Sequence, residues 1–234
     1  KIDAKPDSSA EVSSIMTTRP AGRSPVHQAI AALGAHWGEV AGTPLALDFG
    51  SPEAEARSAR TLGLCDLSAL RKLGLKGHGA ADWLTAQGLE IPGNTFGAQE
   101  QKPEGIAVRI GEDEYFLESG LSGQPVVALS DRFGPAQGKT YRVERQDATF
   151  VLTGSSALRV MTQVCGVDFR ECPNWRLVYS RVAGVSAALL PTSGDEVPRY
   201  RIWVDPTAAP YLWGQLFQIC RELGGQVVGA TAVC

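Results

Sequence analysis

The feature that most constrains this chain is an order of elements written twice. RKLGLK (71–76) alternates as a strand with Leu73 and Leu75 on one face, and Gly77 turns it into a helix carrying Ala80, Trp83, Leu84 and Gln87 at helical spacing. A Gly/Pro-rich loop from Gly88 to Gly105 leads to IAVRI (106–110) and YFLES (115–119), which flank the turn Gly111, Glu112 and Asp113 as a hairpin. A short helix over 125–132 and a strand over 140–145 finish the series. It restarts with TFVLT (149–153), turned by Gly154 into a helix with Leu158, Met161, Val164 and Cys165 along one side. LVYSRVAGVSAALL (177–190) follows as one long strand or a pair bent at Gly184. RYRIWV (199–204), an amphipathic helix with Leu212, Leu216, Ile219 and Leu223, and the strand GQVVGA complete it. Leu75, Gly77, Ala80 and Leu84 superpose on Leu152, Gly154, Ala157 and Met161, an offset of 77, and Tyr115 superposes on Tyr200, an offset of 85.

The fold class that this implies is α+β: two ferredoxin-like β-α-β-β-α-β units in pseudo-duplication, each with two helices on one face of an antiparallel sheet. The expected divisions are a polar N-terminal tail over 1–23, with Met16 a candidate natural start, a first half over 24–146 and a second unit over 147–234. Two short helices precede the first repeat. One begins at Ser24 and Pro25 and places Val26, Ile30 and Leu33 on one face; the other begins at Ser51 and Pro52, with Glu53 and Glu55 suited to its positive end.

With 234 residues, 44% of them hydrophobic and 20% charged, the chain can bury a sizeable core. Its formal charge of −3, from 22 basic and 25 acidic residues, carries no footprint for nucleic acid or an anionic membrane. Cys65, Cys165, Cys172, Cys220 and Cys234 are scattered and odd in number, which fits reduced thiols and a cytoplasmic protein rather than a disulfide framework or zinc ribbon. No apolar run approaches the ~18 residues of a membrane span.

Candidate chemistry is sparse. KGHGAAD (76–82) imitates a dinucleotide fingerprint, but Asp82 stands where the third glycine belongs, and a glycine turn joining strand to helix explains both copies. His27, His36 and His78 have no metal-ligand spacing, and no nucleophile elbow is present. Glu112, Asp113 and Glu114 read as a solvated hairpin turn. In RYRIWV, alternation puts Arg199, Arg201 and Trp203 opposite Tyr200, Ile202 and Val204. Arginine and tryptophan are enriched at interface hot spots, so Arg199, Arg201 and Trp203 are candidates for a partner interface; burial of Trp203 beneath the N-terminal segment is the alternative.

LGLCDLSALRKLGLKGHGAADWL (62–84) resembles the entry segment of the glycine-cleavage aminomethyltransferase, folate-binding superfamily, through Asp66, Ser68, Lys72, Gly77, Ala80 and Leu84. ATFVLTGSSALRVM and RYRIWVDPTAAPYLWGQL resemble its later segments, so the likeness covers about residues 24 to 230. Within the superfamily, length and the opening RSPVHQ most resemble the gamma subunits of heterotetrameric sarcosine oxidases. Folate-dependent members carry an acidic pair that assists one-carbon transfer to tetrahydrofolate. Here the stretch reads QKPEGIAVRI, with Ala107 and Val108 in the acidic positions and Glu104 the nearest carboxylate. The second folate-contacting stretch corresponds at best to TSGDEVPRYR, where Gly194 and Asp195 match and Arg201 stands near the place of a glutamate.

The resemblance therefore implies a non-catalytic gamma-type structural subunit with no catalytic, cofactor or metal residues of its own. It would serve a flavoenzyme complex that oxidatively demethylates sarcosine or a related N-methyl amine. FAD, FMN, NAD and zinc are expected in larger flavoprotein and other partner subunits, with the 88–105 loop as a further contact candidate. An independent folate-binding aminomethyl or methyl transferase, holding tetrahydrofolate itself, is the alternative.

Overall fold

The computed structural model describes residues 22–134, 139–193 and 197–234, so the expected polar tail and Met16 lie outside the described residues as far as position 21. The described chain opens with α1 (His27–Ala31), a hairpin of β1 (His36–Val40) and β2 (Thr43–Asp48), α2 (Pro52–Thr61) and β3 (Gly63–Asp66). The first repeat contributes β4 (Lys72–Lys76), α3 (Ala80–Ala86), β5 (Ala98–Glu100), β6 (Ile106–Gly111), β7 (Glu114–Glu118), α4 (Gln124–Arg132) and β8 (Tyr141–Val143). The second contributes β9 (Ala148–Thr153), α5 (Ala157–Val164), β10 (Val178–Val182), β11 (Val185–Pro191), β12 (Arg199–Val204), α6 (Ala209–Glu222) and β13 (Gln226–Val227).

The α+β duplication is present, and the register carries it. Leu75 pairs with Tyr115 across β4 and β7, and Leu152 pairs with Tyr200 across β9 and β12. The first half holds one strand more than the sequence pattern suggests, β5, and 177–190 is the pair bent at Gly184, β10 and β11, so that each half has three strands between its helices. The first sheet runs β5-β6-β7-β4-β8; the second runs β10-β11-β12-β9-β3-β13. In the second sheet the place beside the first strand of the repeat goes to β3, antiparallel to β9, and β13 lies outside it, parallel to β3. The division at residue 146 is thus crossed: β3 joins the second sheet, and Ile30 of α1 and the preceding Val26 pack in the second core.

Each sheet is apolar on both faces. Leu73, Leu75, Ala107, Tyr115 and Leu117 pack under Ala80, Leu84, Val126 and Leu129 of α3 and α4. Phe150, Leu152, Ile202 and Val204 pack under Val160, Met161, Leu212 and Leu216 of α5 and α6. A fully buried Leu or Phe stabilises by about 1.5–3 kcal/mol, so these two layers dominate the energetics. The repeated glycines serve close approach of this chain's own backbone: both Gly77 (φ +122) and Gly154 (φ +117) lie in the left-handed half of the map. A Cβ at Gly77 would strike the Lys139 carbonyl, one at Gly79 the Thr140 hydroxyl, and one at Gly154 the Thr61–Leu62 backbone. Lys139 and Thr140, just before β8, thus fill the turn that imitates a dinucleotide fingerprint.

The halves are stitched at one side by a reciprocal pair of hydrogen bonds. Ala98 N–H donates to the Trp175 carbonyl at 2.8 Å and Leu177 N–H to the Phe96 carbonyl at 2.7 Å. Phe96 (φ 66) and Trp175 (φ 59) both hold left-handed backbone, a cost of order 1–3 kcal/mol each for a non-glycine residue.

Candidate functional site

The inner faces of the two sheets meet, and there the chain concentrates its buried charge. Alternation along β7 sends Tyr115 and Leu117 to the helices and Phe116 and Glu118 inward; alternation along β12 sends Arg201 and Trp203 inward to meet them. Glu118 is 1% exposed. Its Oε2 accepts the Trp203 indole N–H at 2.8 Å and the Thr149 hydroxyl at 2.6 Å, its Oε1 accepts from Arg201, and the Lys72 ammonium stands 3.5 Å from Oε2. The Phe116 ring meets the Trp203 ring edge-to-face at 5.2 Å.

Burial alone would raise the Glu118 carboxyl. The charges of Arg201 and Lys72 and the Thr149 and Trp203 hydrogen bonds more than offset it, holding the group below the usual carboxylate range. Burial lowers the Lys72 ammonium against the opposing pull of Glu118 and Asp147. Glu118 is therefore a carboxylate at neutral pH with both oxygens bonded inside the chain. A general acid or base needs a proton-transfer route to a ligand, and here both oxygens are engaged by side chains of the same chain.

The motif residues of the entry segment come together beside it. Asp66 Oδ1 accepts the Ser68 N–H at 3.0 Å and its hydroxyl at 2.6 Å, and the Ser68 oxygen accepts the Thr149 N–H at 3.0 Å. Lys72 Nζ donates to the Leu70 carbonyl at 3.0 Å and the Ser68 carbonyl at 3.3 Å. These bonds lock the turn from β3 into β4. Burial raises the Asp66 carboxyl, with hydrogen bonds from Ser24 and Ser68 opposing.

The vacated acidic positions lie in β6 and are closed. Ala107 belongs to the core beneath α3 and α4. Val108 points the other way, fully buried against Ile106, Phe116, Leu177, Leu190 and Trp203. Glu104 does not substitute: its carboxylate accepts the Ser122 N–H at 3.1 Å and the Ser122 hydroxyl, tying down the loop before α4. Gly194 and Asp195 of the second stretch lie outside the described residues.

The interface candidates divide. Trp203 is 4% exposed and packs against Ile106, Val108 and Phe116 of the first sheet. Arg201 is bonded to Glu118 within the chain. A hydrophobic Trp beside an arginine carries the same sequence signal whether the opposing surface belongs to another chain or to the same one. Arg199 is half-buried, its guanidinium pushed down by burial and by the neighbouring Arg201 charge.

Other candidates are structural. His78 Nδ1 stands 2.5 Å from Asp113 at the surface, and Glu114 meets Lys76 at 3.3 Å and Arg145 at 3.4 Å. Glu55 turns inward from α2, accepting the Phe49 N–H at 2.7 Å and the Gly229 N–H at 2.8 Å. Among the described residues no His, Cys, Asp and Glu group could hold a metal ion, and no helix is long and apolar enough to cross a membrane. The sequence reading missed Glu118. The signal available was its position: the offset of 85 places it on Trp203, and the offset of 77 places Lys72 on Thr149.

The arrangement of two packed ferredoxin-like sheets is a fold that this chain shares with two solved structures. The aminomethyltransferase T of the Bartonella henselae glycine cleavage system superposes with a TM-score of 0.70 at 16% identity, over 90% of this chain and 60% of that one. A chain of the heterotetrameric sarcosine oxidase from Corynebacterium sp. U-96, in complex with pyrrole 2-carboxylate, superposes with a TM-score of 0.63 at 20% identity, over 87% of this chain and 97% of that one. In sequence, the chain is 24% identical over 224 residues to an aminomethyltransferase of Saccharopolyspora erythraea, covering 89% of this chain and 61% of the relative. It thus spans about three-fifths of the length of that curated relative. No family profile matches the chain.

Proposed function

We propose that this chain is a non-catalytic, gamma-type subunit of a sarcosine-oxidase-like flavoenzyme complex. The complex oxidatively demethylates sarcosine or a related N-methyl amine, with FAD, FMN, NAD and zinc held by its partner subunits. The observation that carries this reading is the closure of the inner sheet faces around Val108. Where a folate-dependent relative would place an ionisable oxygen, a fully buried isopropyl group packs against Trp203 and Leu190, and the neighbouring carboxylate of Glu118 is bonded to four side chains of its own chain. A pterin ring could enter only by displacing that packing, so the residues present do not fit folate.

The transferase likeness in sequence favours one second reading, an independent folate-binding aminomethyl or methyl transferase. Two measurements separate them. Affinity purification of the tagged chain from its native cells should bring down larger polypeptides with flavin absorbance. Calorimetry of the isolated chain with tetrahydrofolate should show no heat of binding at micromolar concentrations; micromolar affinity together with turnover would establish the transferase instead.

A further inference from the structure

Four arginines gather around a cavity of about 600 Å³ between the β1–β2 turn, the β3–β4 turn and the segment joining β8 to β9. Arg23, Arg71, Arg142 and Arg145 line it, opposed by Glu144 and Asp147. The floor offers no free cation. The Lys72 ammonium already donates to the Ser68 and Leu70 carbonyls, and Arg145 lies over the Phe116 ring at 5.6 Å with Nη2 3.4 Å from Glu114. Arg23, Arg71 and Arg142 are different. All three are exposed, and none forms an ion pair with a described carboxylate. They come from three separate segments of a chain whose net charge is −3.

We infer that this recess receives a carboxylate-rich segment of a partner subunit, an inference that rests on the subunit reading above. A small dianion seated on the floor would meet Asp147 and donors that are already engaged. The three exposed guanidiniums belong to three separate segments around the recess, which suits several acidic side chains of one polypeptide better than a single small anion. Each guanidinium presents a fork of N–H donors that matches a carboxylate in bidentate fashion, and rim charges of this kind set orientation and association rate. The segment lies across the β3–β4 turn, so docking braces the turn that holds Lys72 against Glu118.

Fluorescence anisotropy with the full chain and a fluorescein-labelled hexaglutamate peptide tests this at low ionic strength. The expected result is saturable binding that weakens steeply with salt. It should weaken about tenfold or more in Arg71→Ala/Arg142→Ala, the loss of at least one close charge pair. Arg71→Lys/Arg142→Lys should fall between, because the charge remains and the fork does not. Arg159→Ala and Arg221→Ala, exposed arginines elsewhere, should leave binding unchanged, and melting temperatures should show all variants folded. Absence of binding, an equal loss in the control variants, or pyrophosphate binding more tightly than the peptide would each overturn the inference. Peptide binding without co-purifying flavoprotein would count against the subunit reading alone, whereas co-purification without peptide binding would count against this recess alone.

Discussion

Glu118 and Trp203 stand at the same position of the two halves, 85 residues apart, and hydrogen-bond to each other at 2.8 Å where the inner sheet faces meet. Their cross-strand neighbours are equivalent too: Lys72 pairs with Glu118, and Thr149 pairs with Trp203. A duplicated fold has brought one element from each copy onto its own image, and divergence has made the images complementary, acid and cation in one half, indole and hydroxyl in the other.

That complementarity predicts a large cost for removing the acid. In Glu118→Gln the shape is kept, but Arg201 and Lys72 remain without their counter-charge. The expected loss is about 3–5 kcal/mol in urea unfolding, as for other broken buried pairs. Thr149→Val removes only a hydrogen bond to the carboxylate and should cost about 1.5–3 kcal/mol.

Acid should reveal the same group. The native carboxyl of Glu118 sits below its ordinary value, so as pH falls the unfolded chain binds that proton first. Its stabilisation is complete above about pH 4.3, the ordinary glutamate value, and is lost as pH drops through the native value. Asp66, raised by burial, works in the opposite sense: its contribution weakens as pH rises through its native value. Subtracting the stability profile of Glu118→Gln from that of the parent leaves the Glu118 component, which should fall only on the acid side.

Glycine substitutions should split by environment. Gly154→Ala would drive a Cβ into the Thr61–Leu62 backbone at φ +117 and should cost several kcal/mol or abolish folding. Gly214, exposed within α6 and with open space around it, should accept alanine with a gain of about 0.5–1 kcal/mol in thermal unfolding.

Placing an acid in β6 should cost stability without creating folate binding. Val108→Asp would bury a carboxyl among Phe116, Leu190 and Trp203 with no partner, costing about 2–5 kcal/mol even when protonated. Denaturant unfolding checks the loss, and calorimetry with tetrahydrofolate should stay silent.

By itself the sequence determined the repeat. Strand alternation and glycine-closed turns are local properties, so the paired order of β4-α3 and β9-α5, the hairpin of β6 and β7, and the equivalence of Tyr115 with Tyr200 were legible from residue spacing. That Ala107 and Val108 offer no ionisable group was legible as well, since a side chain's chemistry needs no neighbour to define it. Only the tertiary structure decided who faces whom. β3 enters the second sheet across more than eighty residues because a strand carries no mark of its partner. Trp203 and Arg201 lie against the same chain's Phe116 and Glu118 because an inward face and an interface share one composition. Glu118 carries no mark in the sequence for the same reason: the worth of a buried charge is set by the groups folded around it, and those come from three other strands.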